Sequence, residues 1–216
     1  MRGFQARGAA AVAELDDEER MVVARIVADV GLLLGGEQFG MADPGAQHAR
    51  DADDEMDGIF AHLKGLEESL AEPDDPAVLR LLPSASRDDR DVADEFRRLT
   101  EGDLRDLKVA RLRTMWEQLS EDGPEWEIDA AEAMPTAAAL TDVRLVLASR
   151  LSLDTDEDAD RLHGEIELAT HALDTDADDD LGIDPERVWL GMLYQALTWL
   201  QESLVQYAMT AEDADE

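Results

Sequence analysis

Between Arg87 and Arg113 the chain sets 8 of its 19 basic residues among 8 acids, while the remainder carries 11 bases against 45 acids and the formal charge is −34. Solubility is served by acids anywhere on a surface, so a local concentration of Arg and Lys asks for a local cause: acidic partners inside the fold, or an acidic ligand. At about 100° per residue, a helix from Thr100 to Leu119 has its apolar stripe on Leu104, Leu107, Leu112, Met115 and Leu119. Lys108 falls within that stripe and Arg105 and Arg111 at its edges. A second helix, ending at Leu151, turns Leu140, Val143, Leu147 and Leu151 inward with Arg144 among them. A charge facing a core needs a partner, because an uncompensated buried ion costs several kcal/mol. The nearest candidates are Glu202 for Arg144, with Glu95 and Asp103 for Lys108 and Arg105.

Two chemistries fit these cations. One is a set of internal ion pairs or snorkelling stems with wet heads, the commoner arrangement and the one favoured here. The other is an anion pocket for phosphate, nucleotide or carboxylate, with Arg97, Arg98, Arg105, Lys108, Arg144 and Arg150 as donors, since the guanidinium fork matches both anions. They differ in one observable: whether the cations converge on an open cavity or each meet an internal acceptor.

Metal chemistry has weaker signals. Asp154, Asp156, Asp158, Asp160 and Glu165 occupy the ligand positions of a calcium loop, but Ala159 stands where that loop needs Gly and Arg161 where it needs a branched apolar residue. The run Asp174, Asp176, Asp178 lacks a closing Glu. His163, Glu167 and His171 are four apart and share a helix face, without the signature of a helical zinc protease. With 53 acids in the chain such spacings arise by chance, so no metal and no cofactor is expected. There is no GxSxG elbow and no P-loop, and Gly31, Gly35, Gly36 and Gly40 follow a helix rather than a strand, which excludes a dinucleotide fingerprint. No catalytic residue is assigned.

The elements that must position these residues are mainly helical. At 216 residues the chain suits one core, in which roughly 70% of the unfolded surface is buried. Its 44% hydrophobic content, drawn mostly from Ala, Leu, Val and Met, excludes wholesale disorder and favours helices. Cysteine is absent, so disulfides and thiolate metal sites are excluded. The Ala9–Ala13 stretch is too short for a secretory signal and is closed by acids, and no segment reads as a membrane span. A pI near 4.1 argues against nucleic acid and anionic lipid as partners.

The expected architecture is a single helical domain over 1–216: a bundle of about six or seven helices with a minor two-stranded β element. Asp16 with Glu19 caps a helix to Leu34, preceded by a short strand at Ala11–Leu15. A loop covers 35–52, predicted as flexible, and a helix covers about Asp53 to Leu70. After a short helical turn at Pro76, Asp88 to Leu99 forms a helix with Val92, Phe96 and Leu99 inward. Thr100 caps the next. Trp126–Ile128 reads as the second strand and Asp129 with Glu132 as the start of the helix to Leu151, which Pro135 should kink or restart. Residues 152–183 form an acidic insert around a helix from Asp160. Asp184–Pro185 starts a last helix, and 210–216 read as a disordered tail. In the 22 residues from Val188 the last helix carries one charge, Glu202, which places it at the bundle centre.

Three stretches together resemble one family: Arg80 to Pro83 with Phe96 to Thr100 and Asp103 to Arg105; Leu140 to Leu147 with Arg150 and Leu151; and Trp199 to Val205. The layout is similar nearly end to end to the actinobacterial domain of unknown function numbered two thousand and seventeen, departing from it at Pro135–Thr136. The resemblance implies a small cytoplasmic helical protein without a catalytic signature, whose genes tend to lie beside the adaptor of the Clp protease. Arg97, Arg98, Arg105, Arg144, Gln201 and Glu202 match the family pattern. The expected function is therefore a non-enzymatic interaction or regulatory protein linked to Clp-dependent proteolysis, with Clp components as partners and a homodimer left open. The alternative is a small-anion binding protein or enzyme using the Arg cluster.

Overall fold

The computed structural model describes residues 1–36, 39, 75–86, 88–121, 123–174 and 182–214. The predicted helix at 53–70 and nearly all of the predicted loop 35–52 lie outside them, as do 175–181 of the acidic insert. Along the described residues run strand β1 (Gln5–Arg7), strand β2 (Ala10–Glu14), helix α1 (Asp17–Leu33), helix α2 (Pro76–Leu81), helix α3 (Arg90–Leu119), strand β3 (Glu125–Asp129), helix α4 (Ala130–Arg150), helix α5 (Asp156–Asp174) and helix α6 (Pro185–Ala214). The fold is mainly α with a small antiparallel sheet.

That sheet has three strands in the order β1-β2-β3, one more than expected. Alternation makes β3 legible: Trp126 and Ile128 are buried between exposed Glu125, Glu127 and Asp129. They pair with Ala13 and Ala11 of β2. All three residues of β1 are exposed, so no inward residue betrays it as a strand. It is held by the hairpin across Gly8, whose φ of +65° suits the turn.

Helix α1 begins where the sequence says it should. Asp16 Oδ1 accepts from the Glu19 amide at 2.8 Å, and Glu19 returns the bond to the Asp16 amide at 3.0 Å. The helix ends at Gly35, whose φ of +79° closes the last turn. Gly31 has a different use. A Cβ there would lie 2.1 Å from the Phe39 ring, so only glycine seats that ring against α1.

Helix α3 departs from expectation. It is one continuous 30-residue helix capped by Asp89, whose side chain accepts from the Val92 amide at 3.1 Å. Thr100 is no cap: its hydroxyl donates to the Phe96 carbonyl at 2.8 Å within the helix. Val92, Phe96, Leu99 and Leu107 are exposed, whereas Ala93, Glu101, Leu112, Met115 and Leu119 are buried. The inward face therefore passes through charged residues in the first half of the helix, which an apolar-pattern reading skips.

Pro135 sits inside α4 without ending it. The helix runs unbroken from Ala130 to Arg150, and its N-cap Asp129 makes no side-chain capping bond. Leu140, Val143, Leu147 and Leu151 are buried as expected. Helix α6 starts on Asp184, whose carboxylate accepts from the Glu186 amide at 3.0 Å, with Pro185 in the first turn. It continues through Ala214, so 210–214 are helical rather than a tail. Nor is it central. One face, with Leu193, Leu197, Leu200 and Leu204, is buried, while Trp189, Met192, Trp199 and Met209 on other faces are exposed.

The main core joins β2, β3 and helices α1 to α4 and α6 around Val27, Leu112, Trp126, Leu140 and Leu197. A smaller cluster of Leu151, Leu162 and Ile166 seats α5.

Candidate functional site

The predicted cations do not converge on one cavity. On α3, Arg97 Nε lies 3.3 Å from Glu101 and Arg105 Nη2 2.7 Å from the same carboxylate, a ladder at four-residue spacing around a buried acid. Arg105 also donates to the Leu34 carbonyl at 3.1 Å, satisfying the end of α1. Arg98 pairs with Glu95 at 2.6 Å on the open surface. Neither Glu95 nor Asp103 serves Lys108 or Arg105, because both acids lie on the outward side of the helix.

Lys108 reaches across to α4 and bonds Asp142 Oδ1 at 2.5 Å, the side chains being 15% and 3% exposed. Burial pushes the Asp142 carboxyl above its ordinary range, and the Lys108 ammonium and Arg111 charge oppose that shift. Its second oxygen, Oδ2, is buried without a hydrogen-bond partner among the described residues. The pair is an interior strut between α3 and α4, with an imbalance built into it.

Arg144 contradicts the expected pair with Glu202. Its Nη1 donates to Gln201 Oε1 at 2.5 Å, its Nη2 to the Tyr194 hydroxyl at 3.5 Å, and its guanidinium carbon lies 5.2 Å from the centre of the Tyr194 ring. Gln201 in turn donates to Thr141 Oγ1 at 2.5 Å. Glu202, one residue on, is rotated about 100° around α6 and is exposed. Among the described residues Arg144 thus meets an amide oxygen, a phenol and a π face instead of a carboxylate, and its Nε is buried without a hydrogen-bond partner. Arg150 forms a two-bond fork with Asp75 at 3.0 and 2.7 Å, tying α4 to the start of α2. That fork holds Asp75 below the usual carboxylate range.

The residues that share the spacing of a calcium loop build a helix start. Thr155 and Asp158 form a capping box: Asp158 Oδ2 accepts from the Thr155 amide at 3.0 Å, and Thr155 Oγ1 from the Asp158 amide at 3.2 Å. The Thr155 hydroxyl also donates to Asp158 Oδ2 at 2.8 Å, and this bond, helped by those from the Thr155 and Asp154 amides, draws the Asp158 carboxyl below its ordinary value. Asp154 pairs with Arg80 and Glu165 with Arg187. Asp156 lies in the first turn of α5. His163 Nε2 lies 3.3 Å from Glu167 and its Nδ1 3.1 Å from Gln195, while His171 is two turns further on. Among the described residues no group of three or more His, Asp or Glu stands close enough to hold a metal.

Sequence reasoning missed Arg20. Its buried guanidinium donates to the carbonyls of Gln118 at 3.1 Å, Glu121 at 3.3 Å and Glu125 at 2.5 Å, clamping the end of α3 to the start of β3. The signal was present: Arg20 stands three residues before Val23 on the stripe that continues to Val27 and Val30, the same phasing that flagged Lys108. Arg187 repeats the device on the Leu151 carbonyl at 2.8 Å, and Arg80 on the Leu153 carbonyl at 3.2 Å. Neither α1 nor α3 carries a basic residue in its own last turn, so distant arginines satisfy the orphan carbonyls there.

Fold and interior together define a mainly α protein braced by buried ion pairs and arginine clamps on helix ends. The chain belongs to the family described as a domain of unknown function (DUF2017), whose model matches residues 1–208. Neither a curated protein nor a solved structure gives a significant match.

Proposed function

We propose that this chain is a non-enzymatic interaction or regulatory protein of the cytoplasm, serving Clp-dependent proteolysis as the family resemblance implies. The observation that supports this reading most is the outward side of α6. Trp189, Met192 and Trp199 lie at spacings of three and seven residues, on one side of the helix, and are 45%, 44% and 59% exposed. Large apolar side chains grouped on one helix face mark contact surfaces more often than catalytic ones. The interior cations suit the same reading, since their acceptors are supplied by the fold. Affinity capture from a native lysate tests it: a Clp component enriched over a control supports the link, and no enrichment of any Clp component removes it.

A second reading, binding of a small anion, is favoured by one observation. Among the described residues Arg144 has no carboxylate within ion-pair distance, in contrast to Arg98, Arg105, Lys108 and Arg150. Thermal-shift screening with phosphate, nucleotides and small carboxylates addresses it. A shift abolished by Arg144→Gln supports an anion site, and the absence of any shift rejects it.

A further inference from the structure

Helices α1 and α6 both pack on α4 but stand apart from each other, leaving a groove whose wider part has Val146 and Leu147 of α4 as its floor. Two hollows of about 360 and 590 Å³ make up this groove and join at Val22 and Trp189, which line both. Along it α1 and α6 run in opposite directions: Glu18 and Val22 lie with Met192 and Ala196 at one end, Leu33 with Glu186 at the other. The walls carry Val22, Ile26, Leu33, Trp189 and Met192. From Glu18 to Leu33 the groove is about 22 Å long at 1.5 Å per residue, the length of four helical turns.

Its rim is charged. Among the described residues Glu18, Asp29 and Glu186 make no ion pair, and Arg25 is the one unmatched cation beside them, Arg150 being held by Asp75 and the Met1 ammonium by Glu19. An apolar trough of helical length with a net negative rim fits an amphipathic helix whose flanks are basic. Two other occupants are disfavoured by charge. A second copy brings a net charge of −34, and residues 40–74 of this chain hold 10 acids against 2 bases. We infer that the α1/α6 groove docks a basic amphipathic helix of a partner protein, about fifteen residues long, with Trp189 and Met192 as its apolar anchors. This rests on reading the chain as an interaction protein and adds the surface and the partner's chemistry.

The test uses the full chain and a fluorescein-labelled 18-residue Lys/Leu model helix, with a scrambled peptide of identical composition and a Glu/Leu helix as comparisons. Fluorescence anisotropy should show saturable binding of the Lys/Leu helix at one per chain, with the scramble and the Glu/Leu helix at least tenfold weaker. Trp189→Ala and Met192→Arg, both at exposed positions and checked for folding by circular dichroism, should each weaken it at least tenfold. Equal binding of the scramble, or a change below twofold in both variants, overturns the proposal. A photo-crosslinker at position 192 separates the occupants: capture of the peptide alone supports it, whereas linkage to residues 40–74 or to a second copy overturns it. Absence of any Clp component from a lysate capture leaves the peptide result standing, so the two failures are distinguishable.

Discussion

Asp142 and Lys108 illustrate what a buried charge does in this interior. Each ion was taken out of water, and the pair repays that desolvation only in part, as the partnerless Asp142 Oδ2 records. Removing one partner leaves an uncompensated charge, so Lys108→Met alone should cost about 3–5 kcal/mol in urea unfolding. The double variant Lys108→Met/Asp142→Leu removes the imbalance and should lie within about 1 kcal/mol of the parent or above it. A double variant as damaged as the single one would show that the pair contributes more than charge balance. The two perturbed aspartates respond to pH in opposite senses. Asp142 is raised when folded, so its contribution falls as pH climbs from the ordinary aspartate value through the raised one; Asp142→Asn should remove that decline. Asp75 is lowered, so its contribution is complete above the ordinary value and is lost as pH falls through the depressed one; Asp75→Asn should remove that loss. Urea titrations from pH 3 to 7 read both slopes.

At the scale of elements, Thr100 separates two descriptions of α3. In a continuous helix it is a half-buried interior position that caps nothing, so Thr100→Ala should stabilise by a few tenths of a kcal/mol through helix propensity. As the cap of a separate helix, its loss would cost about 0.5–2 kcal/mol, and thermal unfolding distinguishes the two. The sequence read α3 as two helices because Thr100 and Asp103 mimic a capping box, while Ala93, Arg97 and Glu101 continue the inward face without apolar side chains. Where polarity and burial agree, as in α1, α4 and the alternating β3, boundaries and core residues were legible. Lys108 and Arg144, two of the cations that face inward, were legible from helical phase as well. Their partners were not, because Asp142, Gln201 and the carbonyls clamped by Arg20 come from other elements, and composition and periodicity carry no information about which elements meet. The last helix failed for the opposite reason. Its apolar residues encircle it, and no period distinguishes an apolar face turned to the core from one turned outward.

Across the whole molecule, charge is partitioned by place. Inside, arginines and one lysine meet acids, amide oxygens and helix-end carbonyls, as Arg97, Arg105 and Lys108 do within the neutral stretch from Arg87 to Arg113. Outside, the acid excess creates a field that repels nucleic acid and favours cationic partners. The groove between α1 and α6 is where that field meets an apolar surface of helical dimensions. The proposed reading is a division of labour, with structural charges within and recognition on the α6 side. Capture from native lysate with three forms of the protein tests that division most directly: the parent, Met192→Arg, and Lys108→Met/Asp142→Leu. The interior double variant should retain the parent's enriched partner and Met192→Arg should lose it. Loss of the partner in the interior variant together with its retention by Met192→Arg would contradict the division and return function to the charged interior.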